Sequence, residues 1–311
     1  MPNTAEPLVH QINSEAVNWQ VFGASMIGGT HLHQKQPKQD AMHWLPVSGR
    51  GHRVVTAVAD GHGASTYFRS ARGANYAVAA MTEVLKEFMG SQGKEPDLEV
   101  IEHWAHQELP KLIVGRWREE VEADLQAAPY SPQELALMDT ATPPTPNDDN
   151  CTWLVPYGST CLGLALTEHF IVALQLGDGD MGMVYPNGEA KWLIPDGPRQ
   201  ADHTTFSLCR PEAWKGFRAR VHPLGDFPPA LLSLTTDGFR GAFGNEMDFF
   251  RNGQRFLNIV RRRGLIRTAE NLHNWMENHA QREDGDDITA AFVYLLGDYH
   301  SHKHLRSRHT R

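Results

Sequence analysis

The stretch Arg53–Gly63, RVVTAVADGHG, decides the reading of this chain. Its β-branched run Val54–Ala59 has the length and composition of a buried strand. The run stops at Asp60-Gly61-His62-Gly63, and a long helical pattern follows. An Asp-Gly pair after a strand is ordinary turn chemistry, because glycine tolerates positive φ. It also sets a carboxylate, an open backbone and an imidazole where a strand ends, so the stretch alone leaves a plain turn and a site both open. Strand ends elsewhere in the chain have to decide.

Outward from that stretch, alternating apolar and polar residues at 18–25 predict a strand, followed by a Gly- and His-rich loop. Helices are expected over 65–89 and about 96–127, the second kinked or divided at Pro110. His103 and His106 share a side of that helix, but two histidines without a third ligand nearby are read as surface residues. Residues 129–150, rich in Pro, Thr, Asn and Asp, read as a long loop. Strands at 159–166 and 170–176 form one hairpin, and 178–185 and 190–194 another around Pro186-Asn187-Gly188. A short strand is expected at 204–208, then 230–236, two helices at about 245–262 and 268–281, and a last strand at 288–296. No repeat divides the chain. The order predicts one α+β domain with helices outside packed sheets.

Four of these strand ends carry acid. Val54–Ala59 ends at Asp60, 170–176 at Gly177-Asp178-Gly179-Asp180 and 230–236 at Asp237, while Asp286 and Asp287 precede 288. Asp196-Gly197 and Asp284-Gly285 follow no apolar strand and read as plain turns. If the strands share a sheet or sheet pair, the carboxylates converge at one edge, where like charges demand a cation. Oxygen donors without a cysteine or histidine set suit Mg²⁺ or Mn²⁺. Two such ions would activate a water and clamp phosphoryl oxygens, which is chemistry for hydrolysing a phosphate ester.

The ordered set Gln39-Asp40, Ala59-Asp60-Gly61-His62-Gly63, Gly158-Ser159-Thr160, Gly177-Asp178-Gly179, Thr236-Asp237-Gly238 and Asp286-Asp287-Ile288-Thr289 resembles the metal-dependent Ser/Thr phosphatases of the 2C type. Gln-Asp in place of Glu-Asp is similar to a bacterial branch. The resemblance runs from about residue 18 to 296. It implies a four-layer α-β-β-α sandwich of two antiparallel sheets, and a metal-dependent protein Ser/Thr phosphatase that attacks phosphorus with a metal-activated hydroxide. It implies two Mn²⁺ or Mg²⁺ ions, with Asp60 bridging, Gly61 giving its carbonyl, and Asp237 and Asp286 completing the ligands. Asp287 is the alternative to Asp286. Asp178 matches a position that holds a third, weaker ion in some members. Asp40 would hold a metal-bound water, and His62 would protonate the leaving oxygen, a task suited to a near-neutral imidazole. The Gly158-Ser159-Thr160 segment is structural in that family, so Ser159 is not read as a nucleophile. Where better-known members place a phosphate-gripping Arg, this chain has Lys35, a point charge without the planar fork. Gly28-Gly29 is not read as a phosphate cradle, because no helix is expected to follow it.

Expected partners are a phosphorylated protein and a cognate Ser/Thr kinase. A pseudophosphatase that binds a phosphoprotein or kinase without turnover is the rival from another class; it would lack a metal carboxylate, and none is missing. A two-metal nuclease would need a basic track, and a net charge of -8 opposes nucleic acid as partner. No apolar run is long enough for a bilayer and the first residues lack the pattern of a signal peptide, so a cytoplasmic protein with no membrane partner is expected. Cys151, Cys161 and Cys209 form no disulfide framework. The domain is expected over 16–298, between a flexible 1–15 and a basic, His-rich 299–311.

Overall fold

A computed structural model describes residues 17–93, 95–138, 144–145, 150–195, 206–241, 246–282 and 285–296. Both expected tails lie outside the described residues. The strands are β1 (Asn18–Met26), β2 (Ala41–Leu45), β3 (Arg50–Gly51), β4 (Val54–Ala59), β5 (Cys161–Leu166), β6 (Phe170–Leu176), β7 (Asp180–Val184), β8 (Ala190–Trp192), β9 (Arg218–Pro223), β10 (Leu231–Thr235) and β11 (Ile288–Leu296). They form two antiparallel sheets, one in the order β3-β1-β11-β10-β7-β8 and the other β2-β4-β5-β6-β9.

Every residue of β4, β5, β6, β7 and β10 is buried. These strands are covered on both faces, which is why they read as continuous apolar runs and not as alternation. Period-two geometry still sorts their side chains. Val54 and Val58 of β4 meet Leu162, Leu164, Met181, Leu232, Leu234, Ala291 and Val293 between the sheets. Val55, Ala57 and Ala59 face outward onto α2 (Ser70–Ser91), with α4 (Leu109–Ala127) behind it. On the other side α7 (Glu246–Arg263) and α8 (Leu265–Ala280) cover Phe22, Phe292 and Val184. Three cores between four layers make the α-β-β-α sandwich.

Several elements depart from the sequence expectation. The loop after Gly28 contains α1 (Gly29–Gln34), a helix that was not expected. The first long helix is preceded by a separate 3-10 turn at Ser65–Tyr67. The second begins as α3 (Leu98–His103), passes through a π turn at Trp104–Glu108 and resumes as α4 with Pro110 at its start. A proline there removes a donor and crowds the carbonyl four residues back, so the helix widens by a residue instead of breaking. Residues 129–150 contain α5 (Pro132–Leu137), closed by a Ser131–Glu134 capping box. Phe206–Leu208 forms no strand; Thr204 and Thr205 lie outside the described residues. The strand in that region is β9 instead. No helix among the described residues is long and apolar enough to cross a membrane, and α6 (Asp237–Gly241) is a short turn of helix opening on an acid.

Candidate metal centre

Strand parity delivers the site. Residue 60 continues the inward series 54, 56, 58, so Asp60 leaves β4 on the side facing the other sheet. Thr160, Thr236 and Thr289 continue the inward series of β5, β10 and β11 in the same way. Backbone and hydroxyl bonds then pin the turn. Asp60 N donates to Thr160 Oγ1 at 3.0 Å, and Thr160 N donates to Asp60 O at 2.8 Å. Gly61 forms a bridge with Ser159, and His62 N donates to Gly158 O at 3.1 Å. A Cβ on Gly61 would lie 2.8 Å from Ser70 O and 2.9 Å from Gln39 O. Glycine is therefore required here by close backbone approach.

The acids themselves repel. Burial first, then the charges of Asp40 and Asp237, raise Asp60 well above the usual carboxylate range. Burial also pushes Asp40 up to about 8; Thr289 and Thr236 hydroxyls oppose the shift, and the Asp287 and Asp286 charges add to it. Asp286 is raised by burial and by Asp237 and Asp287, against a hydrogen bond from the Asp287 backbone. Thr236 Oγ1 donates to Asp40 Oδ2 at 2.8 Å. Asp40 Oδ1 and Asp237 Oδ1 are buried without a hydrogen-bond partner. Orphaned carboxylate oxygens cost energy unless neutralised, and hard divalent cations fit this donor set. Among the described residues no three His, Cys, Asp or Glu side chains already stand as a closed ligand set. The carboxylates are assembled as repelling neighbours, which a cation would draw together.

Asp287 is otherwise engaged. Its Oδ1 accepts from Gly28 N at 2.7 Å and faces His31 Nδ1 at 2.8 Å, while Oδ2 accepts from Gln39 N at 2.6 Å and Asp40 N at 3.3 Å. It ties the Gly28–Asp40 segment to β11, and Asp286 is the member of the pair that couples to Asp237 and Asp60. Ser159 is fully buried and its hydroxyl donates to Thr160 O at 2.7 Å, an arrangement for packing.

His62 stands edge-on to Tyr67 with ring centroids 4.7 Å apart. Burial lowers its pKa, the charges of Asp178 and Asp237 raise it, and Arg210 lowers it. Asp178 itself is exposed. Lys35, the expected phosphate ligand, is exposed at the end of α1 in a left-handed conformation, φ 53°. The ammonium coupled to Asp40 and Asp287 belongs to Lys38, half-buried and bonded to Ser25 Oγ at 2.5 Å. Lys38, Tyr67 and Arg210 were not found from the sequence. Lys38 sits two residues before Asp40 and was open to inspection; the other two lie in segments without a motif.

The fold is thus a two-sheet sandwich with buried carboxylates gathered at strand ends. The sequence model described as protein phosphatase 2C matches residues 27–277, and the chain belongs to that family. No curated protein sequence matches significantly. Among solved structures, the catalytic domain of serine threonine protein phosphatase PstP in complex with 2 manganese ions is similar at 13% identity and TM-score 0.52, covering 90% of this chain and 99% of that one. Stp1 from Staphylococcus aureus, a serine/threonine phosphatase, is similar at 13% identity and TM-score 0.52, covering 96% and 100%. At such identity these likenesses establish the shared fold.

Proposed function

We propose that this chain is a divalent-cation-dependent phosphatase that removes phosphate from serine and threonine residues of proteins. The observation that carries the reading is the set Asp40, Asp60, Asp237 and Asp286, in which the Asp40 and Asp237 oxygens Oδ1 are buried without a partner and burial with neighbouring charge raises Asp40, Asp60 and Asp286. Asp60, the Gly61 carbonyl, Asp237 and Asp286 would hold two Mn²⁺ or Mg²⁺ ions, and Asp178 with Asp237 a third, weaker one. When bound, such ions supply Lewis acidity, acidifying water and neutralising phosphoryl oxygens.

The chain's own groups do the rest. Asp40, fixed through Oδ2 by Thr236, keeps Oδ1 buried and unpartnered and would orient a water with it. His62 would deliver a proton to the departing serine or threonine oxygen, with the Asp178 and Asp237 charges helping it hold that proton. Lys38 takes the part expected of Lys35, as the cation beside the acids. A Ser/Thr kinase that installs the phosphate is the implied partner.

The test is turnover of a phosphothreonine peptide by the purified chain with Mn²⁺ and with EDTA. Activity should require the ion, and Asp60→Asn and Asp237→Asn should each abolish it. Full activity in either variant would overturn the reading.

A further inference from the structure

From Phe249 to Ala269 the chain carries Arg251, Arg255, Arg261, Arg262, Arg263 and Arg267 and no acid, within a sequence holding 37 acidic and 29 basic residues. This run is α7 and the start of α8. The inner side of α7 is committed to the sheet through Phe249, Leu257 and Val260. At 100° per residue, Arg251, Arg255 and Arg262 fall on one outer stripe, and all three are exposed. Arg263 and Arg267 extend it around the turn into α8 and are also exposed. Arg251 pairs with Asp248 at 3.2 Å, and Arg261 Nη2 donates to Pro186 O at 3.1 Å. Arg255, Arg262, Arg263 and Arg267 make no ion pair among the described residues. Arg255 and Arg262 thus stand unpaired on the outer stripe of α7, with Arg263 and Arg267 exposed and unpaired beside the turn into α8.

The place of the stripe separates it from the acidic centre. Gln254 Nε2 donates to Gly188 O at 2.7 Å, so the second half of α7 lies over the β7–β8 turn. That turn is at the opposite end of β7 from Asp180.

We propose that this face docks an acidic, amphipathic segment of a protein partner. Guanidinium forks bind carboxylates bidentately, and from Arg251 to Arg262 the row is about 16 Å long. Apolar side chains bound the row, Met247 at one end 60% exposed and Ile266 at the other 77% exposed. A peptide carrying acids between apolar anchors complements that pattern. Nucleic acid would need the basic track to continue across a chain whose net charge is -8. A bilayer would need an apolar face that α7 has already buried in the core.

The probe is a fluorescein-labelled peptide of about sixteen residues repeating Glu-Glu-Leu, titrated with the full chain by fluorescence anisotropy. Binding should weaken with salt and fall at least tenfold in the triple variant R255E/R262E/R263E. Reversals at exposed Lys86, Lys111 and Lys191, which change net charge equally, should leave most of it. Hydrolysis of p-nitrophenyl phosphate should be the same in all three proteins; because binding is read without turnover, docking stands or falls separately from the proposed reaction. The inference is overturned if the peptide does not bind, if both triple variants weaken it equally, or if single-stranded DNA or anionic vesicles engage the arginines more tightly than the peptide.

Discussion

The His31 imidazole stands 2.8 Å from Oδ1 of Asp287, and both residues are buried. With Gly28 N, Gln39 N and Asp40 N on the same carboxylate, Asp287 fastens the segment that presents Asp40. Asp287→Asn puts an amide where two oxygens accept, leaving buried donors unmet at a cost of about 3 kcal/mol. Urea unfolding should show that loss. Asp286→Asn should do the reverse: it relieves repulsion with Asp237, so metal-free stability is kept or raised, while calorimetry should show Mn²⁺ affinity falling at least tenfold. Equal effects of the two substitutions on Mn²⁺ affinity would undo the division of labour.

The acids also set a pH dependence. Burial pushes Asp40 up to about 8 from an ordinary 3.8, so between those values the folded state holds more protons than the unfolded one. Stability of the metal-free protein therefore falls as pH rises toward 8, by about 1 kcal/mol per pH unit for one such carboxyl. The lowered pKa of His62 acts in the opposite sense, but only below its ordinary 6.5. Between about pH 6.5 and 8 the melting temperature in EDTA should decline, and saturating Mn²⁺ should flatten the decline. A rise in EDTA over that interval would refute the sign.

For His62 the discriminating variable is the leaving group. Phosphoserine releases an alkoxide that needs a proton, whereas p-nitrophenolate leaves without one. His62→Gln should lower kcat about 100-fold on a phosphoserine peptide and much less on p-nitrophenyl phosphate. Because Arg210 lowers the His62 pKa, Arg210→Gln should move the alkaline limb of the phosphoserine profile to higher pH. Equal losses on both substrates for His62→Gln would remove it from proton transfer.

The sequence was legible where one signal dominated. Continuous apolar runs marked β4, β5, β6 and β10, the Pro186-Asn187-Gly188 turn marked β7, and acids at strand ends singled out Asp60 and Asp237. Strand β2, with mixed AMHWL and mostly half-buried side chains, gave no period to follow. Strand β9 does alternate, but arginines stand at every second place of its first half, masking an edge strand as loop. Helix α5 was missed although Ser131, Pro132 and Glu134 spell its cap, because the surrounding Pro and Thr content suggested irregular chain. Cationic neighbours of the site were hidden for another reason. Lys38 and Arg210 act through space from loops, and Lys35 was favoured only by its position relative to a family pattern.

The capped helix α5 has an energetic counterpart at Arg69. The Arg69 side chain is 6% exposed and forks onto Glu134, with Nε–Oε1 2.7 Å and Nη2–Oε2 2.9 Å. It also donates to Ala128 O and Tyr157 Oη and lies 4.6 Å above the Tyr130 ring. Tyr157 precedes Gly158, whose carbonyl holds His62 N, so this hub props the turn that carries the candidate acid. Glu134→Gln takes the bidentate counter-charge from a buried guanidinium, leaving it only Asp124 at 3.6 Å, and should cost about 2 kcal/mol, whereas Arg69→Met with Glu134→Leu should cost less. The hydrogen bond from Arg69 holds Glu134 down to about 2 against an ordinary 4.5. A depressed carboxyl stabilises above its unfolded pKa and loses that contribution as pH falls through the folded one. Wild type should therefore lose stability between about pH 4.5 and 2 along a slope that is shallower in Glu134→Gln, as read by urea unfolding across that interval. An unchanged slope would show that the Arg69–Glu134 pair contributes nothing to acid sensitivity.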